Sequence, residues 1–411
     1  MPWYRDVSAE QWRAFVAAYL AWVLDGFDFY ILTFVLSDIQ RAFSVGNALL
    51  GALGTVTLVF RVVGGIAAGT AADRWGRKWP LMFSILWYSI FAFLSGFSTS
   101  YRMLFALRAL FGIGMGGVWA AGVPLTIEHW PAHLRGTASG LLQGGYSVGI
   151  ILSAVVYQFG YPLVASRHPD VAWRAMLWIG VVPALLVFWI MARVQESPVW
   201  LARKASEPDR SARGTISLAR LFKRDLLPAT IQTTLLMGAF IFSNQSITFW
   251  YARFLASVHR DPLPFLLALN AGGIAGAALW GRLSETRLGR RGALTIAMAV
   301  GIAATPLYLF VTAGVSLWFG ALIIGLFAAG CLGIMPGYLS ERFPTAVRAV
   351  GAGFAYHVGA GFGAFTPYLV GALQDRGLPL DRVMGACIVI SGLLVIAFVW
   401  LGPETRGKQL T

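Results

Sequence analysis

One charged phrase is written twice in this chain, and long apolar segments flank both copies. The first copy occupies residues 69–78 and the second residues 281–291, so the copies begin 212 positions apart. A second phrase carries a glutamate, a proline and an arginine within residues 128–135 and again within residues 341–348, an offset of 213. Because the two offsets agree almost to the residue, the second half of the chain repeats the first in parallel register.

The composition places these repeats in a membrane. The chain is 57% hydrophobic and only 12% charged, whereas soluble domains carry about 25% charged residues. Windows of about 20 apolar residues predict twelve transmembrane helices, six in each half, and continuous apolar runs disfavour an outer-membrane barrel. The predicted spans are 14–37, 47–71, 80–99, 104–126, 138–162, 172–193, 227–251, 262–283, 293–313, 316–339, 350–373 and 383–402. The predicted fold class is therefore an all-α polytopic membrane protein made of two six-helix bundles.

The domain organisation follows from the same pattern. Residues 1–193 form the predicted N-terminal bundle, residues 194–226 a cytoplasmic linker, and residues 227–411 the C-terminal bundle. The linker is rich in Lys and Arg, which is typical of a topology anchor. Part of it could also form an amphipathic helix on anionic lipid.

The net charge of +14 is distributed unevenly across the predicted membrane. Of the 32 Lys and Arg residues, 22 fall on the side of the N-terminus and eight on the opposite side. This asymmetry predicts that both termini are cytoplasmic, in a bacterial-type inner membrane. It also disfavours nucleic acid as a partner, because the basic residues follow the loops and form no continuous binding surface.

Two carboxyl groups lie within the first predicted span. Asp25 and Asp28 are three positions apart and share one helix face. Ionisable groups at bilayer depth are costly and are functional candidates by default. Burial favours the neutral form of a carboxylic acid, so we expect one of the two to carry the coupling proton. The alternative is a structural ion pair or a helix cap.

A guanidinium group lies within the second predicted span. Arg61 needs a partner at that depth, and its planar fork suits a substrate carboxylate. It could instead be the permanent partner of Asp25 or Asp28. The two possibilities combine in one mechanism, in which protonation of the aspartate frees Arg61 to bind the substrate anion.

The second half supplies neutral polar candidates for substrate binding. They lie in the seventh, eighth and eleventh predicted spans, and they can donate or accept hydrogen bonds. His357 could also titrate near neutral pH. Hydrogen bonds that hold helices together are the alternative role. The candidates are Asn244, Gln245, Thr248, Asn270, Tyr356 and His357.

The repeated loop phrases predict conformational latches, not substrate ligands. Their acidic and basic residues would tie neighbouring helix ends on the cytoplasmic side in the outward-facing state and separate during transport. Asp73 would pair within the first phrase, and each glutamate of the second phrase would pair with the arginine seven positions later. The latch residues are Asp73, Arg74, Arg77, Glu128, Arg135, Glu285, Arg290, Glu341 and Arg348.

Residues 69–78 resemble the signature loop of the major facilitator superfamily, and residues 281–291 resemble its second copy. Residues 108–114 resemble the fourth-span motif of that family, and residues 403–407 its C-terminal phrase. The resemblance covers nearly the whole chain. It implies a secondary transporter that works by alternating access, and it assigns Arg108 to proton coupling.

Further phrases narrow the branch. Residues 26–29 and 130–149 look like the sialate and lactate proton symporters, while residues 25–28 also fit the aromatic-acid proton symporters. All three branches carry organic carboxylates, with protons as the coupling ion. The short linker favours a monocarboxylate such as lactate or pyruvate over sialic acid. Fungal lactate permeases, however, carry a His and an Asp where this chain has Asn244 and Thr248.

Other classes of function remain as alternatives. A proton-coupled efflux antiporter would usually carry a Gly-Pro in the fifth span, and residues 140–154 contain no proline. A non-transporting nutrient sensor would share all of these features. A membrane enzyme is disfavoured, since His129 and His133 flank Pro131 and have no third metal ligand. We expect no enzyme activity, no bound metal and no cofactor, with the carboxylate substrate and the bilayer as partners of a monomer.

Overall fold

The computed structural model describes residues 6–131, 134–206, 218–311, 313–344 and 347–406. In the first half the helices are α1 (Ala9–Phe34), α2 (Leu36–Phe43), α3 (Asn47–Trp75), α4 (Lys78–Ser95), α5 (Tyr101–His129), α6 (Arg135–Ala165), α7 (Pro169–Trp178), α8 (Pro183–Arg193) and α9 (Pro198–Ser206). In the second half they are α10 (Leu227–Thr248), α11 (Tyr251–Ser257), α12 (Pro262–Leu283), α13 (Gly289–Leu309), α14 (Gly314–Ile324), α15 (Met335–Glu341), α16 (Arg348–Gly363), α17 (Thr366–Asp375) and α18 (Leu380–Trp400).

These helices confirm the predicted fold class. Within the described ranges, nine helical stretches are long and apolar enough to cross a membrane, and they fill nine of the twelve predicted positions. Helix α4, helix α10 and the pair α16–α17 occupy the remaining three. Helix α10 is rich in Thr, Ser and Gln, so its composition is less apolar than that of the nine.

In three predicted spans the regular α-helix is interrupted. The sixth passes from α7 to α8 through a 3-10 turn at Ile179–Val181, the tenth passes from α14 to α15 through a π-helical turn at Gly325–Ala329 and a 3-10 turn at Gly330–Ile334, and the eleventh breaks between α16 and α17. Each break precedes a proline in the first turn of the following helix, namely Pro183, Pro336 and Pro367. Proline is tolerated there because the first amides of a helix have no intrahelical acceptor.

The described chain divides into two compact units. The first contains residues 1–45 and 56–214, and the second contains residues 46–55 and 215–411. Within the first unit, α1 packs against α5 and α6, and α4 packs against α5 and α8. Within the second, α10 packs against α16 and α18, and α13 packs against α14 and α18.

One close contact between helices occurs at equivalent positions in both units. A Cβ added to Gly112 would lie 2.2 Å from the carbonyl oxygen of Thr57, and one added to Gly325 would lie 2.0 Å from that of Leu269. Only glycine fits at so short a distance from backbone atoms. The contact brings α3 against α5 in the first unit and α12 against the tenth span in the second.

Candidate functional site

The first unit buries two carboxyl groups on α1. Asp25 is 0% exposed and Asp28 is 1% exposed. Among the described residues, none of their four carboxyl oxygens has a hydrogen-bond partner. An unsatisfied buried polar group costs about 1–3 kcal/mol, and a charged one costs more. Both groups are therefore poised to take a proton or to interact with a cation.

Arg61 of α3 supplies the nearest cation to Asp25. Its Nη2 atom lies 3.7 Å from Oδ2 of Asp25, and its side chain is 14% exposed. The distance allows Coulomb attraction but is too long for a good hydrogen bond. The structure thus brings together the two residues that the sequence analysis combined in one mechanism.

Two aromatic rings flank Arg61. Its guanidinium carbon lies 5.1 Å from the ring centroid of Trp22 and 5.9 Å from that of Tyr146. The two rings are 5.1 Å apart with an interplanar angle of 40°. The sequence analysis missed both residues. The position of Trp22, one helical turn before Asp25, could have indicated its proximity, whereas Tyr146 reaches the site only through the packing of α6 on α1.

Arg108 of α5 is the second buried cation. It is 0% exposed, its guanidinium carbon lies 4.0 Å from the ring centroid of Phe111, and its guanidinium nitrogens have no hydrogen-bond partner among the described residues. It interacts electrostatically with both Asp28 and Asp25. Its role in proton coupling stays a prediction.

Two further residues contact or face Asp28. The hydroxyl group of Tyr88 is buried, has no hydrogen-bond partner in the described ranges, and interacts electrostatically with Asp28. A Cβ added to Gly180 would lie 3.2 Å from Oδ1 of Asp28, so the junction between α7 and α8 packs on this carboxyl group. Neither residue is part of a motif, and the sequence analysis did not identify them.

Two polar candidates of the second unit, Thr248 on α10 and Asn270 on α12, bond to their own helices. The hydroxyl of Thr248 donates to the carbonyl of Asn244 at 2.8 Å, and the side-chain amide of Asn270 donates to the carbonyl of Leu266 at 2.9 Å. Intrahelical bonds of this kind are common for polar side chains in membrane helices. The substrate-binding role of these residues stays a prediction.

The other candidates described in the second unit are Gln245, Tyr356 and His357. Nε2 of Gln245 is buried without a hydrogen-bond partner among the described residues. The rings of Tyr356 and His357 lie edge to face, with centroids 5.4 Å apart. Helix α10 contains no Asp, Glu, Lys, Arg or His.

The first loop phrase forms a compact polar cluster, which we call latch one. Arg77 binds Asp73 at 2.7 Å and Glu128 at 3.0 Å. Glu128 also accepts a short hydrogen bond from the hydroxyl of Ser197. The side chain of Trp200, on α9, donates to the carbonyl of Asp73 at 3.1 Å. Latch one thus ties the ends of α3, α4 and α5 to the start of the predicted linker.

The second copy of the charged phrase, residues 281–291, forms the equivalent cluster, which we call latch two. Arg290 binds Glu285, and its Nη2 atom lies 2.8 Å from Glu341. Glu341 accepts a hydrogen bond of 2.6 Å from the hydroxyl of Thr405. Arg77 and Arg290 therefore each bind two acidic latch residues of their own unit.

A glutamate caps one helix in each latch. Glu196 accepts hydrogen bonds from the backbone amides of Arg77 and Lys78 at the start of α4. Glu404 does the same for the amides of Arg290 and Arg291 at the start of α13. A carboxylate at a helix N-terminus is stabilised by the free amides and by the helix dipole. The sequence analysis did not assign Glu196 or Glu404 to the latches.

Electrostatics reinforce both latches. Partial burial lowers the pKa of Arg77, but the hydrogen bonds that Arg77 donates to Glu128 and Asp73 outweigh burial, and the net pKa lies above its ordinary value. For Glu404, burial raises the pKa, but four backbone amides outweigh that effect and hold the pKa below its ordinary value. Both groups therefore stay charged around neutral pH.

Three predicted latch residues are not seen in these clusters. Arg74 is exposed, and its guanidinium carbon lies 6.0 Å from the ring centroid of Trp75. The side chains of Arg135 and Arg348 lie outside the described residues, so their predicted pairing with Glu128 and Glu341 stays a prediction. The described ion pairs of Glu128 and Glu341 are with Arg77 and Arg290, which belong to the two copies of the charged phrase.

Comparison with known proteins agrees with the loop phrases. Residues 18–367 match the sequence profile of the Major Facilitator Superfamily. The chain is 33% identical to a probable 4-methylmuconolactone transporter of Cupriavidus pinatubonensis, over 98% of this chain and 93% of that protein. It is 30% identical to the sialic acid transporter NanX of Escherichia coli, over 99% of this chain and 97% of that protein. The family resemblance that the sequence predicts is thereby confirmed.

A solved structure shows the same fold. The xylose transporter XylE from E. coli, in its inward open conformation, matches with a TM-score of 0.77 over 97% of this chain and 98% of that chain. The two sequences are only 20% identical. The likeness to XylE therefore concerns the fold alone.

Proposed function

The chain belongs to the Major Facilitator Superfamily of membrane transporters, and on this premise we propose that it takes up a small organic carboxylate together with protons. It is a multi-pass membrane transporter and not an enzyme. The observation that carries the proposal is the buried group of two carboxyls and two guanidiniums in the first unit. We call these four residues, Asp25, Asp28, Arg61 and Arg108, the charge cluster.

Charge balance explains why protons would accompany the substrate. The charge cluster is neutral when all four groups are ionised. A bound carboxylate adds one negative charge in a region where unbalanced charge is strongly disfavoured. Protonation of one aspartate restores neutrality. The expected stoichiometry is one proton for each carboxylate on the substrate.

The ion pair of Asp25 and Arg61 supplies the exchange step. When Asp25 takes a proton, its charge attraction to Arg61 is lost, and the guanidinium becomes available to a substrate anion. A substrate carboxylate can then bind Arg61 through two parallel hydrogen bonds. Once the substrate leaves on the other side of the membrane, Asp25 releases its proton and the ion pair forms again. Asp25 and the substrate carboxylate therefore compete for Arg61.

The relatives support a carboxylate and leave its identity open. One relative is named as a probable transporter of 4-methylmuconolactone and the other as a transporter of sialic acid, and both compounds carry a carboxyl group. The preference for lactate or pyruvate rests on the short linker and stays a prediction. We therefore propose the class of organic carboxylates and treat the individual acid as the quantity to be measured.

The proposed orientation follows from the basic loops. We place both termini in the cytoplasm and the protein in a bacterial-type inner membrane, where a proton gradient is available. The support is the excess of Lys and Arg on the side of the N-terminus, 22 against eight. Uptake would proceed by alternating access, with the two latches of the cytoplasmic side opening and closing in each cycle.

Reconstituted transport tests the proposal. Labelled L-lactate and labelled benzoate are supplied to proteoliposomes under an imposed inward proton gradient, with pyruvate and sialic acid as competitors. We expect accumulation of at least one acid that collapses when a protonophore removes the gradient. Accumulation of acid only when the imposed proton gradient is directed outward would support proton-coupled efflux instead. Binding without flux would support a nutrient sensor.

A further inference from the structure

The surroundings of Arg61 carry information about the shape of its ligand. The guanidinium lies over the faces of Trp22 and Tyr146, at 5.1 and 5.9 Å from the ring centroids. Tyr30 extends this aromatic surface, with its ring centroid 5.9 Å from that of Tyr146 in an edge-to-face arrangement. Anything that binds the fork of Arg61 in its own plane will therefore lie beside aromatic rings.

The geometry of a carboxylate bound to arginine is planar. Two parallel hydrogen bonds hold the carboxylate and the guanidinium in one plane. In a conjugated acid, such as benzoate, the ring or double bond continues in the carboxylate plane. In a saturated acid, the tetrahedral carbon next to the carboxylate turns the rest of the molecule out of that plane. A conjugated acid held by Arg61 is therefore flat as a whole and can stack on a neighbouring ring, whereas a saturated acid of the same size cannot.

The two helices that carry these rings also hold buried polar atoms without a described partner. The indole Nε1 of Trp22 is buried and has no hydrogen-bond partner among the described residues, and the residue is only 5% exposed. Oε1 of Gln143 is likewise buried without a partner, one helical turn before Tyr146 on α6. The Trp22 donor belongs to the aromatic surface itself and suits a flat acid with a polar substituent on its ring.

From these observations we propose that Trp22 and Tyr146 form an aromatic clamp that makes the transporter selective for carboxylates conjugated to a planar π-system. The inference rests on the proposed function, since it assumes that Arg61 binds the substrate carboxylate. Stacking of aromatic pairs contributes about 0.5–1.5 kcal/mol beyond burial of area. The clamp should therefore favour a conjugated acid about three- to tenfold over a saturated acid of the same size.

Benzoate and cyclohexanecarboxylate form the matched pair for the test. They share the carbon skeleton and the single carboxylate and differ in planarity. Their affinities, and those of lactate and sialic acid, are measured on purified full-length protein by equilibrium dialysis of each labelled acid, which requires neither turnover nor a proton gradient. We expect wild-type protein to bind benzoate about three- to tenfold more tightly.

Substitutions then locate the source of the preference. In Tyr146→Leu and Trp22→Leu the ratio of the two affinities should fall to about one, because the stacking contribution is removed. Tyr146→Phe and Trp22→Phe keep a ring and should keep the preference. Phe188→Leu, on the exposed face of α8, is the matched control and should not change the ratio.

Each outcome separates the clamp from the function on which it rests. Equal affinities in the wild type would overturn the clamp and leave carboxylate transport intact, as would binding of lactate or sialic acid without benzoate. A preference that survives both leucine substitutions would overturn the assignment to these rings. Binding of no carboxylate at all would overturn the clamp and the proposed function together.

Discussion

The two halves of this transporter share a frame but differ in what they bury. The contact of Gly112 with Thr57 recurs as that of Gly325 with Leu269, at positions 213 and 212 residues later. With the same offsets, the position of Arg61 corresponds to Gly273. The repeat has therefore kept the helix packing in both halves, while a cation at this position is present only in the first half.

The second buried cation shows the same difference. Arg108 lies one helical turn before Gly112, and the residue one turn before Gly325 is Ala321. Helix α10, the counterpart of α1, has no ionisable side chain. Packing and latch residues are therefore repeated in both halves, whereas the residues to which we assign the proposed proton and carboxylate chemistry depart from the repeat.

The latches show how the repeat tolerates a small change. The second copy of the charged phrase has one inserted residue. Glu285 therefore lies five positions before Arg290, whereas Asp73 lies four positions before Arg77. Glutamate replaces aspartate at this position, and its side chain is longer by one methylene group. The longer side chain spans the inserted residue, and the ion pair is kept in both halves.

The largest expected effect comes from removing Arg61, whose equivalent position in the second half is Gly273. Arg61→Leu should lower uptake by about a hundredfold, because truncating one partner of a buried charge pair costs about 2–5 kcal/mol and the substrate loses its counterion. Initial rates in proteoliposomes measure the loss. Gly273→Ala is the control in the second half, where an added Cβ has space, with its nearest neighbour at 3.9 Å. Uptake retained in Arg61→Leu would contradict the proposed role.

The latches should respond equally in the two halves. Asp73→Asn and Glu285→Gln should each lower the maximal uptake rate by about tenfold while affinity changes by less than about twofold, since each loses one charge-assisted bond of about 1.5–3 kcal/mol that acts only in the conformational step. Rates in proteoliposomes and binding in detergent are compared for the two variants. A large change in affinity, or unchanged transport in either variant, would refute the interpretation as latches.

The repeated glycine contact predicts similar losses of stability. In Gly112→Ala and Gly325→Ala the added methyl group overlaps a carbonyl oxygen of the neighbouring helix. Overpacking of this kind costs about 1–3 kcal/mol. Apparent melting temperatures in detergent should fall by comparable amounts. A loss confined to one half would show that the packing frame is not shared.

The smallest effect concerns the cap of latch two and its dependence on pH. The pKa of Glu404 is lowered in the folded protein from its ordinary value of 4.5, so its contribution to stability is present above that value and is lost as the pH falls below it. Glu404→Gln should melt about one or two degrees below the wild type at neutral pH. The difference should shrink on acidification. A difference that grows on acidification would have the wrong sign.

Much of the fold follows from the sequence. The apolar runs place all twelve spans, and the charged phrase predicts the pairing of Asp73 with Arg77. The contacts of Glu128 with Arg77 and of Glu341 with Arg290 were not predicted. The interruptions were not predicted, because Pro183, Pro336 and Pro367 each lie within a continuous apolar run that reads as one span. Hydropathy averages over a window and does not register a single proline that starts a new helix.

The site is less accessible to sequence reasoning. Asp25 and Arg61 stand out because ionisable residues are rare in apolar spans. Tyr146 does not, since aromatic residues are frequent in membrane helices and its place beside Arg61 depends on packing between α1, α3 and α6. Glu196 is missed for a similar reason, because it lies 119 positions from the amide that it caps.

The most direct test of the central claim is the number of protons that accompany each acid molecule. Labelled acid and a lumenal pH dye are followed together in proteoliposomes containing wild type, Asp25→Asn, Asp28→Asn or His357→Gln. Our account predicts one proton per carboxylate for the wild type and for His357→Gln, and exchange of acid without net proton movement for at least one aspartate variant. Loss of coupling in His357→Gln, with coupling retained in both aspartate variants, would place the proton chemistry in the second half and contradict the account.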